Sequence, residues 1–332
     1  MSLSPRDVQG LSAARLYYER GLPQTDVARE LGVSRPTVSK LIQHAKDRGF
    51  VTIEIHDPRQ VSTAVADQLC ERFGLAQARV ITSQPTDDDL VRELGAAGAL
   101  MLEENVADGD LLGITWGRTL HAVARSLKPT DCHGVQVVQL KGGATLTSRS
   151  TSHYETIRLF CEAFNAYPQT LPLPVIFDNA QVKRVVEEDR HIKHILDLGR
   201  DAQTAIFTVG AMSPDSTLLK LGYLSATEQT TLLEHAVGDI CSRFIDEHGQ
   251  PCLPDLEERT VAVSLQNVKA KQTRICVAGG QQKVRPLKAA LAAGYVSHLV
   301  TDEATARGVL GQTVSCAARD GRSAASQSGR AK

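Results

Sequence analysis

Residues 24–43, QTDVARELGVSRPTVSKLIQ, carry two groups of apolar residues at helical spacing, separated by Gly32. Ser34 is a good N-cap for a second helix, and Pro36 would lie in the first turn of that helix, where its missing N–H costs nothing. Two short helices joined by a glycine turn predict a helix-turn-helix. The apolar groups are Val27, Ala28 and Leu31, then Val33, Val38, Leu41 and Ile42.

The second of these helices carries polar residues that suit contact with double-stranded operator DNA. From Arg29 to Arg48 there are five Lys or Arg against two acidic residues, an excess of +3 in a chain whose formal net charge is −1. Cations and small polar side chains near the start of a recognition helix contact phosphates and base edges. The alternative is an ordinary solvated helical hairpin. The predicted DNA-binding residues are Ser34, Arg35, Pro36, Thr37, Ser39, Lys40 and Gln43.

We expect this all-α helix-turn-helix domain to span residues 1–58. After Gly49, the segment FVTIEIHDPR alternates apolar and polar residues like a short strand or wing. One such domain buries little DNA-contact surface, so a homo-oligomer, dimer or tetramer, on repeated half-sites is expected. An upstream helix, Val8 to Glu19, would supply the third packing element through Leu11, Ala14, Arg15 and Tyr18.

From residue 59 to residue 316, strand-like and helical segments alternate, which predicts an α/β Rossmann-like domain doubly wound around a mostly parallel sheet. The strand-like runs are ARVIT, GDLLGIT, GVQVVQL, TAIFTVG, RTVAVSL, TRICVAGG and VSHLVTDE. Helices are predicted at 62–73, 88–105, 118–127, 155–166, 181–198, 228–248, 283–293 and 303–310. Residues 317–332 are polar and small, which is typical of a disordered tail.

Composition narrows the class of protein. No run of 18 apolar residues occurs, and the first ten residues lack the apolar stretch of a signal peptide, so we expect a cytoplasmic protein without a membrane partner. The seven cysteines are scattered and never spaced C-x-x-C, which favours reduced thiols over disulfides or a metal site. The P-loop and the dinucleotide glycine fingerprint are both absent, so no cofactor is expected.

Four predicted strand ends carry candidate chemistry, and ligands of such folds bind at the carboxyl ends of strands. Glycines let the backbone approach a ligand, and amides at a helix start bind anions. Together with their cations these ends favour a phosphate dianion, although each alone is a weak signal. They are Gly117-Arg118-Thr119, Lys141-Gly142-Gly143, Gly279-Gly280 with Lys283, and Asp239 after Gly238, with Lys220 as a further cation.

The chain resembles the SorC family of bacterial sugar-responsive repressors, and within it the regulators of deoxyribonucleoside catabolism. The resemblance runs from RLYYERGLPQTDVARELGVSRPTVSKLI to VAGGQQK and LVTDEATA, and is most specific in VVQLKGG, LPLPVIFDNAQVKRVVEEDRHIKHI and AVGDICSRFIDEHG. It implies an effector domain related to glucosamine-6-phosphate deaminase and ribose-5-phosphate isomerase. It also implies a repressor that a phosphosugar effector, 2-deoxyribose 5-phosphate, releases from DNA.

The resemblance also assigns residues to the effector. By position, Gly117, Arg118, Thr119, Gly142 and Gly143 would hold the phosphate, and Lys220, Asp239 and Lys283 would line the pocket. One departure is Thr115, where the family commonly has a serine before Trp-Gly; the hydroxyl is kept.

Lys141 is unusual because it ends a predicted buried strand, and lysine is almost never fully buried unless it is paired. Deoxyribose 5-phosphate is a masked aldehyde that condenses with a neutral amine. Burial and neighbouring cations would lower the pKa of Lys141 from its ordinary value of about 10.4 and so supply that amine. We therefore expect a reversible Schiff base between Lys141 and C1 of the sugar. The alternative is an ion pair between Lys141 and the phosphate.

Two other functions remain open at this point. One is a repressor that responds to a different phosphosugar, because a phosphate clamp does not fix the sugar. The other is a sugar-phosphate isomerase, deaminase or aldolase with an accessory DNA-binding module. An enzyme would need a general base beside the sugar carbon, and only Asp239 is a candidate, so we expect no catalysis.

Overall fold

A computed structural model describes residues 4–52, 63–143, 152–216 and 218–312. The chain divides between residues 58 and 59 into two compact units. Within the described residues, no helix is long and apolar enough to cross a membrane. The predicted wing and the predicted tail lie outside the described residues, except for Phe50 to Thr52.

The N-terminal unit is a three-helix arrangement of α1 (Pro5–Ala14), α2 (Gln24–Leu31) and α3 (Arg35–Asp47), with a π-helical turn over Arg15–Glu19. The predicted helix-turn-helix is confirmed by the family comparison below. Gly32 ends α2 with a φ of 66°, a left-handed conformation that glycine adopts without strain. Ser34 caps α3 by accepting a hydrogen bond from the Thr37 amide.

The helices pack around a small apolar core to which the first helix contributes differently from the prediction. Arg15 and Tyr18 are exposed, because the chain continues past Ala14 in a π-helical turn that rotates the following side chains. Buried Asp7 ties α1 to α3, since its carboxylate accepts hydrogen bonds from His44 Nε2 (2.8 Å) and Arg48 Nε (3.1 Å). The core comprises Ala13, Val27, Ala28, Val38, Leu41 and Ile42, with Leu16 and Tyr17 packed against it.

The larger unit is built on a seven-stranded sheet in which every neighbouring pair of strands is parallel. Helices cover both faces, which bury separate hydrophobic clusters. The doubly wound α/β prediction is therefore confirmed. The strands are β1 (Gln77–Ile81), β2 (Leu111–Ile114), β3 (Gln136–Gln139), β4 (Tyr167–Gln169), β5 (Thr204–Phe207), β9 (Thr273–Val277) and β10 (His298–Asp302). Their order across the sheet is β1-β10-β9-β5-β2-β3-β4.

The helices of this unit agree with most of the predicted segments. The segment predicted as one helix over 181–198 is two helices, because Asp189 caps a new helix with its carboxylate. The helices are α4 (Thr63–Phe73), α5 (Asp87–Glu103), α6 (Arg118–Ser126), α7 (His153–Ala163), α8 (Ala180–Glu187), α9 (Arg190–Asp201), α10 (Ala226–His235), α11 (Pro254–Arg259), α12 (Leu265–Ala270), α13 (Val284–Ala292) and α14 (Glu303–Leu310).

A small antiparallel sheet lies beside the parallel one and overturns two predictions. It contains β6 (Val209–Ala211), β7 (Gly238–Ile240) and β8 (Arg243–Ile245). The helix predicted over 228–248 is wrong after His235, and the run TAIFTVG is divided between β5 and β6. The segment RTVAVSL, predicted as a strand, makes only isolated bridges to Lys141 and Ile176.

The helix predicted over 228–248 fails after His235 for a local reason. β7 and β8 are joined by a two-residue turn at Cys241 and Ser242, whose φ values are 52° and 69°. Two consecutive left-handed residues form the tight turn whose twist matches that of a hairpin. Neither residue is the Asn or Gly that usually marks such a turn, so the sequence gives no turn signal there.

Candidate functional site

A cavity of about 540 Å³ lies where the carboxyl ends of β2, β3 and β5 meet the small antiparallel sheet. Six of the predicted effector residues line it, and they come from four separate regions of the chain. These residues are Gly117, Arg118, Thr119, Lys141, Asp239 and Lys283. This volume is within the range of pockets that enclose small molecules.

One end of the cavity is built to accept an anion. Gly117 begins α6 with a φ of 145°, and no side chain caps the helix there. The amides of the first turn therefore remain available, and the helix dipole favours negative charge at that point. Arg118 lies at the same place, half exposed, and its guanidinium pairs with the carboxylates of Asp87 and Asp88. A phosphate would compete with these carboxylates for Arg118.

Lys141 lines the same cavity, two residues after the end of β3, and is only 6% exposed. Its Nζ is 3.8 Å from the centre of the Trp116 ring. Among the described residues, no oxygen accepts a hydrogen bond from this Nζ or pairs with it within 4 Å. Burial lowers the pKa of Lys141, and the attraction of the Asp239 carboxylate is the main effect that opposes that shift. Burial therefore makes the neutral form of this amine more accessible than in an exposed lysine.

The surroundings fix the position of Lys141. The Trp116 indole donates a hydrogen bond from Nε1 to the carbonyl of Gly142 at 2.8 Å, which holds the ring against the lysine. The Gln139 side chain donates to the Lys141 carbonyl at 2.7 Å. Lys141 also forms an antiparallel bridge with Ala262. Both sides of the backbone are therefore tied down, and the aliphatic chain of the lysine extends into the cavity.

Asp239 and Lys283 form the charged wall next to Lys141. Asp239 Oδ2 accepts a hydrogen bond from the Ser242 amide at 3.0 Å, and Lys283 Nζ donates to the Val209 carbonyl at 2.7 Å. Burial raises the pKa of Asp239, and the charges of Lys141 and Lys283 oppose that rise. Burial also lowers the pKa of Lys283, against the attraction of Asp239.

Three predicted residues do not line the cavity. The amides of Gly142 and Gly143 donate to the carbonyls of Val261 (2.9 Å) and Leu173 (3.0 Å), so they are not directed at a ligand. Gly142 is needed for packing, because a Cβ there would collide with the Pro174 carbonyl. Lys220 pairs with Asp215, which itself lines the cavity.

Other residues that line the cavity were not among the predicted site residues, although Thr115 and Trp116 lie next to the predicted Gly117. Ser216 carries a buried hydroxyl oxygen that has no hydrogen-bond partner among the residues that the structure describes. Gly210 lies opposite Asp239 in the β6–β7 pair, which no sequence motif announces. Gln282 lies two residues after the Gly279-Gly280 pair. That glycine pair is the sequence signal that could have indicated Gln282 as a lining residue. The residues not predicted are Thr115, Trp116, Thr208, Gly210, Ala211, Ser213, Asp215, Ser216, Leu218, Cys241 and Gln282.

A second concavity, of about 570 Å³, runs along α7 and β4. Its one basic residue, Arg158, is paired with Glu162. It therefore lacks the several converging cations of the first cavity, and the first cavity is the stronger candidate site. No group of three or more His, Cys, Asp or Glu side chains that could hold a metal ion occurs within the described ranges.

The predicted DNA-binding residues lie on one exposed side of α3 and its cap. All seven, Ser34, Arg35, Pro36, Thr37, Ser39, Lys40 and Gln43, are exposed, whereas Val38, Leu41, Ile42 and Ala45 are buried against the other helices. Gln43 donates a hydrogen bond to Asp47 at 2.8 Å. The helix therefore presents a polar surface with two cations, Arg35 and Lys40, while its apolar side maintains the fold.

Comparisons with known proteins find matches to both units of the chain. The family described as "Putative sugar-binding domain" matches residues 58–311, and the MarR family matches residues 14–60. The chain is 44% identical to the deoxyribonucleoside regulator of Bacillus subtilis, over 92% of this chain and 98% of that protein. It is 28% identical to the sorbitol operon regulator of Klebsiella pneumoniae, over 88% of this chain and 94% of that protein.

A solved structure extends the likeness to the fold of the whole chain. The crystal structure of the full-length sorbitol operon regulator SorC from Klebsiella pneumoniae superposes with a TM-score of 0.77 at 27% identity. The match covers 92% of this chain and 99% of that one.

Proposed function

The chain belongs to the SorC family of sugar-binding transcriptional regulators, and on that basis we propose that it is a repressor of deoxyribonucleoside catabolism released from its operator by 2-deoxyribose 5-phosphate. Its likeness to the Bacillus subtilis deoxyribonucleoside regulator supports this choice among the family. The cytoplasm is its site of action, and a dimer or tetramer is its binding form. The chain needs no cofactor for this role.

The observation that carries the effector assignment is the environment of Lys141. A lysine that is buried against an indole, without an oxygen partner among the described residues, is poorly suited to bind phosphate as a point charge. Its lowered pKa favours the neutral amine that attacks an aldehyde. The phosphate would instead lie at the start of α6, with Gly117, Arg118 and Thr119. The Schiff base at C1 and the phosphate at the helix would then fix both ends of the sugar.

The covalent step is tested with borohydride. The full-length protein is incubated with 2-deoxyribose 5-phosphate, reduced, digested and examined by mass spectrometry, with ribose 5-phosphate in parallel. We expect a reduced adduct on Lys141 with the deoxy sugar, and no adduct in Lys141→Arg. Binding of the sugar without an adduct, retained in Lys141→Arg, would instead assign Lys141 to an ion pair.

The regulatory step is tested on DNA. A binding site is first selected from a pool of randomised duplexes, and release from that site is then measured by fluorescence anisotropy as the sugar phosphate is added. A coupling of about 1–3 kcal/mol would weaken DNA binding about 5–150-fold. A sugar phosphate that binds and forms the adduct but leaves DNA affinity unchanged would contradict the repressor role. Turnover of the sugar phosphate would favour an enzyme.

A further inference from the structure

Of the two carboxylates that line the cavity within the described residues, Asp239 is the one that interacts electrostatically with Lys141. Asp215, the other, is held in an ion pair by Lys220 and is largely exposed. Asp239 is close enough to Lys141 and to Lys283 to interact electrostatically with both. Its carboxylate is fixed through Oδ2 by the Ser242 amide, which leaves Oδ1 free of that bond.

The backbone around Asp239 is shaped to place this carboxylate. Gly210 is paired with Asp239 across β6 and β7, and a Cβ on residue 210 would collide with Asp239 Oδ1. The carboxylate therefore occupies the space that glycine leaves empty. The turn that supplies the Ser242 amide consists of two residues with positive φ, which cost strain and are retained where a particular geometry is needed.

We propose that Asp239 is the proton-transfer residue that makes and breaks the Schiff base at Lys141, an inference that rests on the proposed function. The neutral Nζ of Lys141 forms a bond to C1 of the open-chain aldehyde, and a proton moves from nitrogen to oxygen to give the carbinolamine. Asp239, in its acid form, then donates a proton to that hydroxyl. The C1–O bond breaks, water leaves and the nitrogen lone pair completes the C=N bond.

The products of this step are complementary to their surroundings. An iminium cation on Lys141 then lies beside the Asp239 carboxylate and over the Trp116 ring, and both stabilise positive charge. The total charge is unchanged, because the neutral amine and the neutral acid become a cation and an anion. Burial raises the pKa of Asp239, which keeps the acid form accessible. Release follows the same steps in reverse, with water adding to C1 and Asp239 taking the proton back.

This role makes a specific kinetic prediction. A group that transfers a proton in both directions accelerates formation and hydrolysis of the Schiff base alike, so its removal slows both while the noncovalent affinity for the sugar phosphate changes little. A group needed only for structure or for binding would weaken affinity and speed release. For a regulator, the consequence is that Asp239 sets how fast the protein follows a change in sugar concentration.

The experiment uses the full-length protein and 2-deoxyribose 5-phosphate. Formation is measured by borohydride quenching at timed intervals and mass spectrometry of the trapped adduct. Release is measured by chasing the preformed complex with ¹³C-labelled sugar before quenching. Binding of 2-deoxyribitol 5-phosphate, which has no aldehyde, reports the noncovalent affinity. The variants are Asp239→Asn, Gly210→Ala, which displaces the carboxylate without removing it, and the control Asp255→Asn, an exposed carboxylate on α11.

We expect Asp239→Asn to slow formation and release together, by about 100-fold or more, with the affinity for 2-deoxyribitol 5-phosphate within a few-fold of wild type. Gly210→Ala should slow both rates in the same way, and Asp255→Asn neither. If both rates in folded Asp239→Asn and Gly210→Ala equal those of wild type, or if release becomes faster, the proposal is overturned. If wild type forms no adduct, the Schiff base of the proposed function fails instead.

Discussion

Replacing Lys141 with methionine should stabilise the ligand-free protein while abolishing the adduct. Methionine is similar in length and volume, and its sulfur packs well against an aromatic ring, so the space beside Trp116 stays filled. The change removes an amine that is 6% exposed and has no oxygen partner among the described residues. The protein would thereby lose a buried polar group whose charged form is costly.

The size of this effect follows from the neighbours of Lys141. Replacing a complete buried ion pair with apolar residues of similar volume is neutral or stabilises proteins by about 1–4 kcal/mol, whereas removing one partner of a close pair destabilises them. Lys141 has no oxygen partner within 4 Å among the described residues, so the first case is the closer one. The gain here should fall near the lower end, about 1–2 kcal/mol at pH 7. The reason is that Lys141 also attracts Asp239, whose pKa would rise further without it. Lys283 remains to interact with Asp239.

The pH dependence of the effect has a definite sign. In the unfolded chain a lysine keeps its proton up to about pH 10.5, whereas burial lowers the pKa of Lys141 in the folded state. Between the two values the unfolded state binds more protons, so the stability of the wild type rises with pH. The advantage of Lys141→Met should therefore be constant below the folded pKa and shrink as the pH approaches 10.5.

The assay is urea unfolding at several pH values between 7 and 10, followed by the fluorescence of Trp116, the one tryptophan of the chain. Lys288→Met, an exposed lysine on α13, is the matched control and should change the unfolding free energy by less than about 0.5 kcal/mol. A Lys141→Met protein less stable than wild type at pH 7 would refute the reasoning. So would an advantage that grows with pH.

Three further predictions concern other parts of the chain. Arg35→Ala should weaken binding to all duplexes, and the slope of log K against the logarithm of the salt concentration should fall by about one phosphate contact. Fluorescence anisotropy at several salt concentrations would measure this slope, and an unchanged melting temperature is the control. Hydrogen bonds from Ser4 and His44 hold the pKa of Asp7 well below its usual range. Asp7→Asn should therefore lower thermal stability at pH 7, and circular dichroism should show the gap closing as the pH falls below about 3.8, since protonation then removes the same stabilisation from wild type. Lys271→Met should lower the free energy of unfolding in urea by about 2 kcal/mol or more. The reason is that Lys271 Nζ donates hydrogen bonds to three carbonyls at the end of α9, the longest of which is 3.1 Å. An unchanged free energy of unfolding would show that these carbonyls find other donors.

The sequence alone determined the features that depend on local pattern. Gly32 and Ser34 mark the turn and cap of the helix-turn-helix, because a left-handed residue and an N-cap are needed at those points whatever the tertiary context. The alternation of apolar strands and amphipathic helices predicted the parallel sheet, since each strand buried on both faces leaves a continuous apolar run. The cations that open helices after strands located the cavity at the carboxyl ends of the strands.

The tertiary structure decided what depends on residues far apart in the chain. Lys141 was singled out by its position, but only the fold brings Trp116, Asp239 and Lys283 around it, and that burial is what favours the neutral amine. Gly142 looked equivalent to Gly117 in sequence, yet its amide is used by a carbonyl more than a hundred residues away. Hydrogen-bond partners and burial are properties of the packed molecule, so no local pattern could assign them.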